Sequence, residues 1–154
     1  LFKTLKKFKG LKYRQEVIFK SKNLTIINDS KSTSFSSSVS ILKLMSNVFW
    51  IVGGLAKKGD KFLLKKNECT NLKTYIYGKN KNTFLNQLKN IVKCESFINL
   101  EFLIKKVFLD IKNNKDLKHK TILFSPAAAS FDSFKNFEDR GKYFNSLIKK
   151  LINV

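Results

Sequence analysis

Three stretches of the sequence gather the side chains that hold anions. The first is Ile27-Asn28-Asp29-Ser30-Lys31-Ser32-Thr33-Ser34, a carboxylate, a lysine and several hydroxyls where an apolar run gives way to a helical period. Free backbone N–H groups and the helix dipole at such a turn favour an anion, and the same residue types also cap a helix; composition alone leaves both readings standing. The second is Val52-Gly53-Gly54-Leu55-Ala56-Lys57-Lys58-Gly59-Asp60. Its glycines let backbone approach a ligand closely and Lys57 can supply a point charge to a carboxylate or phosphate, although a simple tight turn would use the same residues. It is not a Walker loop, because Asp60 follows Gly59 where a G-K-[ST] ending is required. The third runs from Phe124 through Ser125-Pro126-Ala127-Ala128-Ala129-Ser130-Phe131-Asp132 to Gly141, three small residues followed by a dense mixture of aromatic, hydroxyl and charged groups. Small residues there admit a ligand or another backbone, and so many polar groups beside aromatics exceed what a loop needs.

All three stretches must be positioned by secondary structure. Short apolar runs predict strands at Val17 to Lys20, Thr25 to Asn28, Val48 to Val52, Thr74 to Tyr77, Ile91 to Cys94 and Thr121 to Phe124. Helical periods between them predict helices at Ser37 to Met45, Asp60 to Lys66, Thr83 to Asn90, Leu100 to Asn113 and Phe134 to Leu151. This alternation implies an α/β fold, a mostly parallel sheet with helices on both faces. Gly53-Gly54 and Pro126 then fall just beyond strand carboxyl ends, where open α/β sheets place ligands.

Composition bounds the function. The 154 residues make one domain, and 43% hydrophobic with 13% aromatic content fills a core. The longest apolar run, Val48 to Ala56, is about half the ~20 residues a spanning helix needs, and Leu1 to Arg14 is broken by lysines where a secretory signal would be apolar. These features lead to the expectation of a cytosolic protein with no membrane insertion. Cys69 and Cys94 are too few for a disulfide framework or zinc site, so both read as packed or surface thiols. His119 is the only histidine and lies in a polar run, where a solvated loop would not hold an imidazole for catalysis. The formal charge of +20 invites a nucleic-acid reading, but Arg14 and Arg140 are the only arginines and the lysines are scattered from end to end. No nucleic acid is expected.

The third stretch, S-P-A-A-A-S-F-D-S-F-K-N-F-E-D-R-G, closely resembles the C-terminal motif of the Mur ligases, in particular the branch that adds D-glutamate. I-N-D-S-K-S-T is similar to that branch's I-N-D-S-K-A-T-N, G-G-L-A-K-K-G-D to its G-G-x-x-K, and Gly10-Leu11-Lys12-Tyr13-Arg14-Gln15-Glu16 to the G-L-P-H-R-x-E that opens the family's third domain. The four blocks lie in order across nearly the whole chain.

The resemblance implies a Rossmann-like C-terminal domain, the third of three, in an ATP-dependent ligase of peptidoglycan synthesis. ATP phosphorylates the carboxylate of UDP-N-acetylmuramoyl-L-alanine, and the amine of D-glutamate attacks the acyl phosphate. By the same resemblance Thr33, Lys57, Ser130 and Phe137 contact D-glutamate, Phe131 does so through its backbone, and Arg14, Asp29 and Lys31 reach ATP. No catalytic nucleophile and no metal ligand is implied in this chain: ATP and Mg2+ would be bound mainly by a central domain, which with the uridine-nucleotide domain is expected to lie outside this sequence. The expected assembly is a monomer. Tyr13 replaces the family's usual histidine, Lys12 its proline, Ser34 its asparagine and Ala128 its frequent cysteine. Two other readings compete, a basic α/β module that meets anionic surfaces and a folylpolyglutamate-type ligase domain; the N-D-S-K-S-T and F-K-N-F-E-D-R-G strings count against the latter.

Overall fold

The computed structural model describes residues 10–116 and 118–152. The lysine-broken opening, residues 1–9, lies outside that range. Six strands form one sheet: β1 Glu16–Lys20, β2 Leu24–Asn28, β3 Val48–Gly53, β4 Leu72–Tyr77, β5 Lys93–Ser96 and β6 Lys120–Phe124. Their order across the sheet is β1-β2-β6-β3-β4-β5. Only β1 is antiparallel, paired with β2 as an edge hairpin; β2, β6, β3, β4 and β5 run parallel. Among the described residues three helices lie between strands, α1 Phe35–Leu42, α2 Lys81–Leu88 and α3 Leu100–Asn113, and a fourth, α4 Phe137–Ile152, follows β6.

Both faces of the sheet are covered, which is why the strands read as unbroken apolar runs rather than as alternation. Neighbouring residues go to opposite cores: Ile27, Trp50 and Leu123 face α1 and α2, whereas Ile26, Phe49 and Ile122 face α3 and α4. On the first face Phe35 meets Trp50, Phe62 and Phe84 edge-on with ring centroids 5.5–6.3 Å apart. On the second, Phe124 stacks on Phe144 at 4.2 Å, pinning the end of β6 to α4. No described helix is long and apolar enough to cross a membrane.

The helix expected at Asp60 to Lys66 does not form. Phe62 and Leu64 are buried while Leu63 between them is 75% exposed, the period of two of an extended chain. The segment is held there by side chains: Phe62 N–H donates to Gln87 Oε1, and Gln87 Nε2 donates back to the Asp60 carbonyl. A short 3₁₀ turn follows at Lys66–Cys69. The remaining elements stand within two or three residues of their expected bounds, and Leu100–Asn113 coincides with them. Cys69 is buried, Cys94 is half-buried and both are free.

His119 is exposed in a loop, as expected, but it is not loose. Its ring is held by two hydrogen bonds, Nε2 to Thr25 Oγ1 at 2.9 Å and Nδ1 to the Lys22 carbonyl at 3.0 Å. It sits beside the amino ends of β2 and β6, the opposite end of the sheet from the three anion-holding stretches.

Candidate functional site

Each of the three stretches leaves the carboxyl end of a strand: Asp29–Ser34 after β2, Gly54–Asp60 after β3 and Ser125–Asn136 after β6. Since β2, β6 and β3 are adjacent, the sheet sets the three loops side by side. Backbone bonds then stitch them. Asp29 N–H donates to the Phe124 carbonyl at 2.7 Å, Gly53 N–H to Pro126 at 3.0 Å, and Leu55 and Ala129 exchange a pair at 2.9 and 3.1 Å. The last pairing requires Gly54, whose φ is +130° and whose place would set a Cβ 2.6 Å from the Ala129 carbonyl oxygen.

A fourth tie is made by an arginine that sequence reasoning passed over. Arg140 is fully buried and its guanidinium donates only to neutral oxygens: Nε to Ser30 Oγ at 3.1 Å, Nη2 to the Ser30 carbonyl at 2.6 Å and Nη1 to the Ala128 carbonyl at 2.9 Å. Ser30 Oγ passes its own proton to the Phe137 carbonyl at 2.8 Å, and Asn28 Nδ2 donates to the Gly141 carbonyl and to Asn145 Oδ1. One planar fork thus joins the β2 loop, the β6 loop and the start of α4. The signal was present in the sequence. Arg140 falls on the apolar stripe Phe137, Gly141, Phe144, Leu147 and Ile148, a position where a charge must have buried partners. Burial pushes the guanidinium's proton affinity down, opposed by the nearby Tyr77, Asp132 and Asp29. The Tyr77 phenol beside it is pushed up to about 12 by burial.

The residues named for nucleotide contact share one cavity of about 460 Å³, lined by Arg14, Gln15, Asp29, Lys31, Ser32, Ser37 and Ser40. Arg14 reaches it because Tyr13, buried at φ 61°, lies against Gly141 of α4, while Gln15 N–H donates to Asp29 Oδ1 at 3.2 Å. Tyr13 is therefore a packing group that fastens the segment before β1. Two cations and a carboxylate around one cavity suit phosphate oxygens together with a hydroxyl donor, so these residues fit the outer part of a nucleotide. Magnesium is different: the described residues hold no cluster of three or more histidine, cysteine or carboxylate side chains able to bind a metal.

The residues named for D-glutamate contact are only partly gathered. Lys31 Nζ sits 3.9 Å over the Phe137 ring, a cation–π contact between one residue of each named group. Ser130 is buried at the turn where its carbonyl accepts from Ser133 and Phe134 N–H. Thr33 and Lys57 are exposed, and Phe131 is 71% exposed. What brings the Thr33 and Lys57 loops together is Asp60, whose Oδ2 accepts from Phe35 N–H at 2.6 Å while its own N–H donates to the Lys57 carbonyl. Ser34, at the turn between them, caps α1 through Ser37 N–H at 3.4 Å, so the first stretch is a capped helix and a cavity wall at once.

A Rossmann-like sheet with loops gathered at its carboxyl edge is the arrangement in which open α/β domains bind ligands. Curated relatives carry the resemblance further. The chain is 37% identical over 147 residues to a protein of Wolbachia sp. subsp. Brugia malayi, 33% over 150 residues to one of Rickettsia prowazekii and 34% over 152 residues to one of Hydrogenobaculum sp.. All three are named UDP-N-acetylmuramoylalanine–D-glutamate ligase. The matches cover 96%, 97% and 98% of this chain but 29%, 34% and 36% of the relatives, so the chain spans about a third of their length. No family model matches it. Over nearly its whole length the chain is thus similar to about a third of each of these ligases.

Proposed function

We propose that the chain is the C-terminal, D-glutamate-binding domain of a ligase that joins D-glutamate to UDP-N-acetylmuramoyl-L-alanine at the expense of ATP, in the cytoplasmic stage of bacterial peptidoglycan synthesis. The observation that carries this reading is the convergence of three loops, each with its matching motif, at the carboxyl ends of adjacent strands β2, β6 and β3, with the cation-lined cavity beside them. On this reading Lys57, Thr33, Ser130 and Phe137 contact the carboxylates of D-glutamate, with Phe131 in a backbone-contact position. A dianionic ligand needs a cation and hydroxyl or N–H donors, which these positions offer. Arg14, Asp29 and Lys31 meet the nucleotide. ATP and Mg2+ are held mainly by a central domain, and the protein acts as a monomer without nucleic acid.

The chemistry this assigns to the domain is positioning and charge stabilisation. Nothing here attacks the substrate; the amine of bound D-glutamate is the nucleophile, presented to an acyl phosphate formed on the neighbouring domain. The open placement of Thr33 and Lys57 accords with a site completed by domain closure.

The test is phosphate release by the complete enzyme that carries this domain, given ATP, Mg2+ and UDP-N-acetylmuramoyl-L-alanine with D-glutamate, L-glutamate or other amino acids. Release that requires D-glutamate is expected. A folded enzyme that binds ATP but releases phosphate with no amino acid would end the ligase reading and bring forward the basic anion-binding surface.

A further inference from the structure

The serine-rich tract after β2 does more than cap a helix. Ser32, Ser38 and Ser125 come from the β2 loop, α1 and the end of β6, all three buried, and their hydroxyls touch in a line that ends on Asp29. Ser32 Oγ lies 2.8 Å from Ser38 Oγ, Ser38 Oγ lies 2.8 Å from Ser125 Oγ, and Ser125 Oγ donates to Asp29 Oδ2 at 2.9 Å. Each hydroxyl has a single proton, so the direction of the line follows by elimination. Ser125 spends its proton on Asp29. Ser38 must then donate toward Ser125, where its proton is shared between Oγ and the carbonyl at 3.2 Å, and Ser32 must donate to Ser38. Trp50 Nε1 donates to the same Ser125 carbonyl at 2.7 Å, fixing the far side of the line. Both of its ends, Ser32 and Asp29, line the cavity assigned to the nucleotide.

We propose that the Ser32–Ser38–Ser125 hydroxyl line is a positioning device for Asp29, holding one edge of its carboxylate so that the rest faces the Arg14–Lys31 cavity. Its functional meaning rests on the nucleotide role proposed above for Asp29. The device is partly particular to this chain, because Ser32 stands where the related motif I-N-D-S-K-A-T-N has alanine. Oδ1 is held from the other side by Gln15 N–H, so the carboxylate is gripped at both oxygens. A row of hydroxyls pointing one way lets each bond polarise the next, so loss of an early link weakens the last one less than loss of the last itself.

Asp29 reports on the device directly. Burial pushes its proton affinity up, and the Ser125 hydroxyl, Gln15 N–H and the charges of Arg14 and Arg140 pull it down. The other ionisable groups around it are Lys31 on the cavity wall and Glu16 at the start of β1, which accepts from Tyr13 N–H; α1 and the segment Ser125 to Ala129 carry none. Carboxyl-carbon NMR titration of Asp29 in this chain, without nucleotide, is the test. Ser125→Ala is expected to raise the Asp29 midpoint by about one pH unit, about tenfold in proton affinity. Ser38→Ala should raise it by less and Ser32→Ala by least, while Ser38→Thr, which keeps the hydroxyl, should titrate as the unaltered chain does. An unchanged midpoint in Ser125→Ala, with the amide spectrum intact, overturns the proposal. If Ser125→Ala does not fold, Ser38→Ala decides in the same way. Because no ATP is present, this result is independent of whether Asp29 meets a nucleotide.

Discussion

Asp110 and Arg140 are both charged, both largely withdrawn from water, and held in opposite ways. Asp110, in the last turn of α3 near the amino ends of the strands, sits among ions: Lys73 and Lys106 both pair with it, Tyr75 Oη donates to it at 2.7 Å, and Glu95 closes the cluster through Lys73 at 2.8 Å. Arg140, at the carboxyl ends, is surrounded by carbonyl and hydroxyl oxygens of two loops. An ionic cluster can trade partners when one is lost. A guanidinium that fills fixed backbone positions cannot, since every oxygen it leaves is buried without a donor. The difference teaches where this domain is built for shape: the amino end needs only cohesion, whereas the carboxyl end must hold three loops in register.

The comparison makes graded predictions. Arg140→Ala should cost the most, about 3–5 kcal/mol, enough to threaten folding of a domain of ordinary stability. Arg140→Lys should still lose about 2 kcal/mol, because one ammonium cannot span the Ser30 and Ala128 carbonyls together. Urea denaturation midpoints measure both, and a Lys variant as stable as the parent would break the contrast.

Asp110→Asn should cost less, about 1–2 kcal/mol at neutral pH. Burial alone would raise the Asp110 carboxyl, but hydrogen bonds from Lys106, Lys73 and Tyr75 outweigh it and bring it to about 2. A depressed folded-state value contributes stability that is present above the unfolded value near pH ~4 and is lost as pH falls toward ~2. The parent should therefore lose stability over that interval more steeply than Asp110→Asn; parallel acid-denaturation curves would remove Asp110 from the account. Smallest is Ser34→Ala. It deletes a long cap bond at the exposed start of α1, outside the Arg140 web, and should lower the denaturation midpoint by no more than about 1 kcal/mol.

Much of this architecture was legible beforehand, for physical reasons that differ by element. The strands could be read because both faces of the sheet are covered, so Val48 to Val52 is apolar throughout. Leu100–Asn113 could be read because fourteen residues carry an unbroken helical stripe behind the Asn99 cap. Asp60 to Lys66 could not, since what holds it extended is Gln87, remote in sequence. The candidate site shows the same division. Lys57, Thr33 and Ser130 were legible as residue types after strand ends, and Arg140 as a charge on an apolar stripe, but their partners were not: Asp60 binds an N–H twenty-five residues away and Arg140 binds Ser30 across one hundred and ten. Such contacts are set by the strand order β2-β6-β3, which no local pattern specifies.

The central claim is that the stitched carboxyl end presents Lys57 and Ser130 to the two carboxylates of D-glutamate. The dependence of phosphate release on D-glutamate concentration in the complete enzyme, for Lys57→Ala and Ser130→Ala, tests it most directly. The account predicts that each raises the KM for D-glutamate at least about tenfold while the KM for ATP stays near the parent's, as loss of a charge-assisted hydrogen bond to one ligand requires. An unaltered KM for D-glutamate in both variants would contradict it.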